Sequence, residues 1–168
     1  MTTAIGPRLI ELLPRLRRYA IALCRVADVA DELVQTACER ALAHPGSLAG
    51  DVPLDAWMFR VLRNAWYDRL RRQRTRGEEL EVSERADLVA VEGEQVPERR
   101  LLLADAMAAI DRLPGDQREL MLLVCVEDFS YRQAAEMLDL PIGTVMSRLA
   151  RARKRVAEEV GVDRGRLL

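Results

Sequence analysis

The chain has 168 residues, room for one ordinary domain or two small ones, with 49% apolar residues, 32% charged residues and a net charge of −1. Aromatics make up 4% while Leu, Ala and Arg dominate, so the composition leans towards helix. Three scattered cysteines and a single histidine, His44, leave almost nothing from which to build a zinc site or a histidine-based catalytic centre, so neither an enzyme nor a metal or other cofactor is expected.

No apolar run approaches the roughly 20 residues of a bilayer span, and the start, MTTAIGPRLIELL, lacks a basic leader and a small-residue cleavage site. The protein is therefore expected in the cytoplasm, without membrane insertion. Its charge is unevenly spread. Residues 8–76 carry thirteen arginines against eight acids, whereas residues 77–97 carry seven acids and only Arg85. Further on, Arg148, Arg151, Arg153, Lys154 and Arg155 crowd together. Local basic clusters of this kind bear on nucleic-acid binding more than the whole-chain charge does.

In chain order, Leu9, Leu12, Leu13, Leu16, Ala20 and Leu23 recur at helical spacing, and Ala30, Leu33, Val34, Ala37 and Ala41 repeat the pattern. The turn-rich HPGSLAGDVP follows, and Pro53 suits the first turn of a third helix bearing Leu54, Met58, Val61, Leu62, Ala65 and Leu70. That helix ends in RLRRQRTRG, too basic to be buried. Residues 75–96 are acidic and weakly periodic, and read as a flexible linker. The alternative is an ordered acidic helix on the first domain. Pro97 opens a helix through Leu103, Met107 and Ile110 that stops at Leu113-Pro114-Gly115. Asp116 and Glu119 then suggest a capping box for a helix with Leu120, Leu123 and Val124, and Ser130 with Gln133 suggests another. Cys24, Cys38 and Cys125 fall within apolar helical patterns and are expected as buried free thiols. The expected fold is all-α: small helical domains over residues 8–74 and 97–160, joined by an acidic linker over residues 75–96.

The sharpest signal lies in FSYRQAAEMLDLPIGTVMSRLARARKRV, residues 129–156. A short helix with the small pair Ala134-Ala135 meets a break at Asp139-Leu140-Pro141, then a helix with apolar positions Val145, Leu149, Ala152 and Val156. This is a helix-turn-helix pattern, whose second helix enters a major groove. Thr144, Ser147, Arg148 and Arg151 fall opposite the apolar stripe, where arginine can read guanine edges and hydroxyls can hold phosphates. Lys154 and Arg155 extend that face.

The segment resembles region four of the sigma-70 family, where a helix-turn-helix reads the −35 promoter element, and LPGDQRELMLLVCVEDFSY resembles the stretch before it. Met146 stands where relatives often carry a basic residue. ADVADELVQTACERAL, residues 27–42, resembles the region-two helix that grips the largest polymerase subunit, which implies that Asp31, Glu32 and Gln35 make the contact. Thr36 departs from the acid common after that glutamine. LDAWMFRVLRNAWYDRLRRQR, residues 54–74, is similar to the part of region two that recognises and opens the −10 element. The resemblance implies that Arg60, Arg63, Arg69, Arg71 and Arg72 track the DNA backbone, and that Asn64 and the loop Gly46–Asp51 hold an extruded base. Trp57 fits the core better than a stacking role, while Trp66 and Tyr67 fit either.

With only regions two and four, the arrangement resembles the extracytoplasmic-function (ECF) group. It implies core RNA polymerase and promoter DNA as partners, control by an anti-sigma factor, and a monomer when free. LPRLRRYAIALC and FSYRQAAEML are similar to the general-stress subgroup. Two other classes compete: a sigma mimic that sequesters an anti-sigma factor, usually fused to a receiver domain, and a dimeric helix-turn-helix repressor, which leaves the N-terminal matches unexplained.

Overall fold

A computed structural model of the chain describes residues 5–44, 52–77 and 97–161. Its regular elements are all helical, and they form two compact units. In the first, α1 (Ile5–Cys24), α2 (Ala27–Ala43) and α3 (Leu54–Arg76) pack pairwise as a three-helix bundle. Leu16, Tyr19, Met58, Phe59 and Leu62 are almost wholly buried, and the Tyr19 and Phe59 rings meet at 5.0 Å between centroids. Side chains of this size contribute about 1.5–3 kcal/mol each on full burial. Pro14 lies inside α1 on its exposed side. Arg25, with φ of 60°, turns the chain into α2, and its N–H donates to the Ile21 carbonyl at 2.8 Å.

Several sequence expectations shift by a residue or a face. Leu13 is exposed, and Leu12, Leu23, Val61 and Leu70 are half-buried, because the bundle closes around Tyr19 and Phe59 instead. Pro53 is the N-cap of α3 rather than its first residue. Thr75 and Arg76, assigned by sequence to the linker, complete α3, which stops at Gly77 in the left-handed conformation. The loop Gly46–Asp51 and residues 78–96 lie outside the described residues.

The second unit holds α4 (Pro97–Asp111), α5 (Gly115–Met121), α6 (Tyr131–Leu138) and α7 (Ile142–Val160), with α7 packed on the other three. Ile110 of α4 is buried, Met107 half-buried and Leu103 exposed. The capping box expected at Asp116 and Glu119 does not form. Pro114 starts α5, its carbonyl accepting from Gln117 and Arg118 N–H at 3.0 and 2.9 Å, and no side chain caps it. Asp116 therefore sits inside the first turn, and Glu119 is buried.

Between α5 and α6 the chain makes a π-turn, Leu122–Val126, which the sequence did not signal. Its mark is the Glu127 N–H bonded to the Leu122 carbonyl at 2.9 Å. Cys125 leaves this turn exposed, contrary to the buried thiol expected, whereas Cys24 is buried and Cys38 half-buried. Burial pushes the thiols of Cys24 and Cys38 upward.

The capping box at α6 does form. Gln133 N–H donates to Ser130 Oγ at 3.2 Å, and Ser130 N–H donates to Gln133 Oε1 at 2.9 Å. Ser130→Ala is expected to destabilise the second unit by about 1 kcal/mol, read from urea unfolding followed by circular dichroism. An unchanged midpoint would show the cap to be idle.

Candidate nucleic-acid interface and docking face

The helix-turn-helix is built by α6 and α7. Asp139 ends α6 in the left-handed conformation, φ 53°, and the next residue, Leu140, donates its N–H to the Ala135 carbonyl at 3.0 Å. Asp tolerates this conformation better than most residues. Ala134 and Ala135 are buried, and Val145, Leu149, Ala152 and Val156 turn inward from α7. Small side chains on one helix let the other approach closely, so the turn is held by packing on both sides.

The six sequence-selected residues of α7 lie together. At 100° per residue, Thr144, Ser147, Arg148, Arg151, Lys154 and Arg155 fall within an arc of about 120°. Ser147, Arg151, Lys154 and Arg155 are exposed, and Thr144 and Arg148 half-buried. Arg148 is anchored: its Nη1 lies 3.4 Å from Asp116 Oδ2 on α5. Arg151 Nε donates to the Ser147 carbonyl at 3.3 Å, and Ser147 Oγ to the Thr144 carbonyl at 3.1 Å. Lys154 pairs with Glu158 at 3.7 Å. Met146 is exposed beside them. Arg153 is different. Its Nη1 donates to the Tyr131 hydroxyl at 3.0 Å, which raises the guanidinium pKa further and ties α7 to α6.

In the first unit, Asp31, Glu32 and Gln35 are exposed on α2, as their spacing predicts. Each has a partner. Arg17 Nε donates to Asp31 Oδ1 at 2.7 Å, a bond that raises the Arg17 pKa. Arg69 of α3 pairs with Glu32, and Gln35 Nε2 donates to Glu39 Oε1 at 2.9 Å. Thr36 turns its hydroxyl back to the Glu32 carbonyl at 2.9 Å. The Arg17–Asp31 and Arg69–Glu32 pairs join three helices and nothing in linear spacing anticipates them, whereas Gln35–Glu39 is an i,i+4 pair within α2.

The six residues selected on α3 divide between two sides of the helix. Arg60, Arg63, Asn64 and Arg71 lie within about 100° of one another. Arg60, Asn64 and Arg71 are exposed there, and Arg63 stacks on the Tyr67 ring at 4.5 Å from its centroid. Arg71 pairs with Asp68. Arg69 and Arg72 instead face α2, continuing the side of α3 that higher up carries Met58, Leu62 and Ala65. Arg72 Nε donates to the Asp68 carbonyl at 3.3 Å. Trp57 and Trp66 are half-buried, whereas Tyr67 is exposed.

Comparison with known proteins identifies the family. Residues 103–156, from within α4 through most of α7, match the model for "Sigma-70, region 4", and residues 9–63 match the "Sigma2 domain of PhyR". The ECF RNA polymerase sigma factor EcfG of Rhodopseudomonas palustris is 36% identical over 97% of this chain and 88% of its own length. SigM of Mycobacterium tuberculosis, another ECF sigma factor, is 34% identical over 88% of this chain and 72% of its own. Among solved structures, sigma factor RpoE of Bartonella quintana, in complex with the anti-sigma factor NepR, superposes with a TM-score of 0.78. It is 34% identical and the match covers 95% of this chain and 98% of that one. The PhyRSL–NepR complex of Sphingomonas sp. Fr1 superposes at 0.67 with 25% identity, covering 94% and 89%. Among the described residues, no helix is long and apolar enough to cross a membrane. The chain belongs to the ECF RNA polymerase sigma factors of the sigma-70 family, which direct core RNA polymerase to specific promoters.

Proposed function

We propose that the two units divide promoter recognition between them. The C-terminal unit, residues 97–160, reads duplex −35 DNA through Thr144, Ser147, Arg148 and Arg151, with Lys154 and Arg155 on phosphates. The N-terminal unit, residues 8–74 extended by the last turn of α3, docks on core polymerase through Asp31, Glu32 and Gln35. Its Arg60, Arg63, Asn64 and Arg71 engage the −10 element, and Arg69 and Arg72 are poised on the side towards α2. Residues between the units act as an acidic linker. The protein makes and breaks no covalent bond itself, and acts in the cytoplasm as a monomer when free. The observation that carries this reading is the arc on α7: six polar or basic side chains on one flank, with the opposite stripe fully packed.

Control by an anti-sigma factor of the NepR kind, in a stress response, belongs to the same proposal. Its support is the likeness to RpoE, solved in complex with NepR. A second reading, a mimic that titrates such an inhibitor, draws on the match to the PhyR sigma2 domain. The exposed basic residues of α3 and α7 favour the sigma factor, because a mimic has no DNA for them to contact.

The test adds the purified chain to sigma-free core polymerase on fragmented genomic DNA and maps transcript 5′ ends. New starts sharing two upstream elements at fixed spacing are the expected result. Binding to core polymerase or to an inhibitor without any new start would establish the mimic.

A further inference from the structure

A groove of about 350 Å³ runs between α2 and the last turns of α3. Among the described residues, four that bear a guanidinium line it, Arg40, Arg69, Arg72 and Arg76, against a single carboxylate, Glu32. Position 40 and position 76 stand in the last turns of their helices, where a cation complements the helix dipole. That accounts for two of the four. It does not account for Arg69 and Arg72, which continue the core-facing side of α3 where an ordinary amphipathic helix places apolar residues. Like charges converging on one concavity repel unless an anion joins them.

The groove also holds an unmet polar group. Gln73 Oε1 is buried at the groove with no hydrogen-bond partner among the described residues. An amide can present either end, and reversing it turns this buried oxygen into a donor. Four guanidinium forks and an amide N–H then face one cavity, whose apolar floor is Leu33 and Ala65. Guanidinium pairs with phosphate oxygens through two parallel hydrogen bonds, and its planar fork suits that task better than an ammonium does.

The geometry points to a binding site for linked phosphate groups in the groove between α2 and α3, with Arg40, Arg72 and Arg76 as the primary ligands. Arg69 joins them by exchanging its bond to Glu32 for one to the ligand. At 100° per residue the groove residues of α3 lie on the opposite side of the helix from Arg60, Asn64 and Arg71, so the site is separate from the surface proposed for the −10 element. The site stands whether or not α7 reads promoter DNA.

Inorganic pyrophosphate titrated into the full chain by calorimetry tests the site, with Arg40→Ala/Arg76→Ala and Arg74→Ala as variants. Both changed positions of the double variant are exposed, and circular dichroism checks that it remains folded. Saturable binding by the native chain is expected, weakened tenfold or more in the double variant on the scale of about tenfold per charge-assisted contact. Arg74→Ala, on the far side of α3, should leave it unchanged. A short single-stranded oligonucleotide that competes with pyrophosphate would identify the phosphate source as nucleic-acid backbone; failure to compete would identify a soluble ligand. Absence of saturable binding overturns the site. So does loss of affinity for core polymerase in the double variant with pyrophosphate binding intact, which would make the groove a docking surface for an acidic protein segment.

Discussion

Replacing Arg148 and Arg151 together by alanine is expected to lower the affinity of the reconstituted holoenzyme for its promoters by about two orders of magnitude, since each base-reading arginine is worth about 1–3 kcal/mol. Both side chains leave α7 on its outer arc, and neither contributes to the packed stripe of Val145, Leu149, Ala152 and Val156. The loss should therefore appear without a change in thermal stability or in affinity for core polymerase. The two residues should differ in kind. Arg148 is paired with Asp116, which restricts where its guanidinium can point, and on the proposed role Asp116→Ala should reproduce part of its loss. Arg151, whose Nε donates to the Ser147 carbonyl one turn back, is exposed and can reach a base edge or a phosphate. Binding curves at several salt concentrations separate these. A base reader relaxes sequence preference at one position, whereas a phosphate contact lowers the salt slope by about one for every sequence. Loss of core binding in the double variant would refute the assignment of the second unit.

The second large effect concerns stability. Leu149→Ala removes a side chain at 1% exposure from the centre of the α7 stripe. Leu→Ala in such a position costs about 2–5 kcal/mol, against a total that for small domains lies near the lower end of about 5–15 kcal/mol. The second unit should be partly unfolded at 37 °C. Both tryptophans, Trp57 and Trp66, lie on α3 in the first unit, which provides a clean separation. Circular dichroism should show an early loss of helix while the tryptophan fluorescence midpoint stays in place. Phe59→Ala should do the reverse, moving the fluorescence transition through loss of the Tyr19 contact. A fluorescence shift in Leu149→Ala would mean that the units do not unfold independently.

The helix-turn-helix was legible in the sequence because every level agreed there. The Ser130–Gln133 cap, the small pair Ala134-Ala135, the break at Asp139 and the period of α7 all specify one arrangement. The first unit was legible in outline only. Linear periodicity placed three helices but gave Leu13 to the core and omitted Phe59, because the choice depends on which helix faces which. The division of the α3 arginines was hidden for the same reason. Arg69 and Arg72 look like members of one basic run, and only the position of α2 sets them apart from Arg60 and Arg71. Cys125 was misjudged because its burial was inferred from a regular helix that the π-turn interrupts.

That π-turn has a consequence for how the chain tolerates changes in length. Five residues, Leu122–Val126, occupy a turn that closes through Glu127 onto Leu122. A deletion of one residue here would let α5 continue as a regular helix, and everything beyond it would rotate by about 100° about the helix axis. Phe129, now buried, would swing away from its pocket, and α6 and α7 would be presented in a new direction although no contact residue had changed. Conservative substitutions inside Leu122–Val126 should be absorbed, while loss or gain of a single residue should redirect α6 and α7.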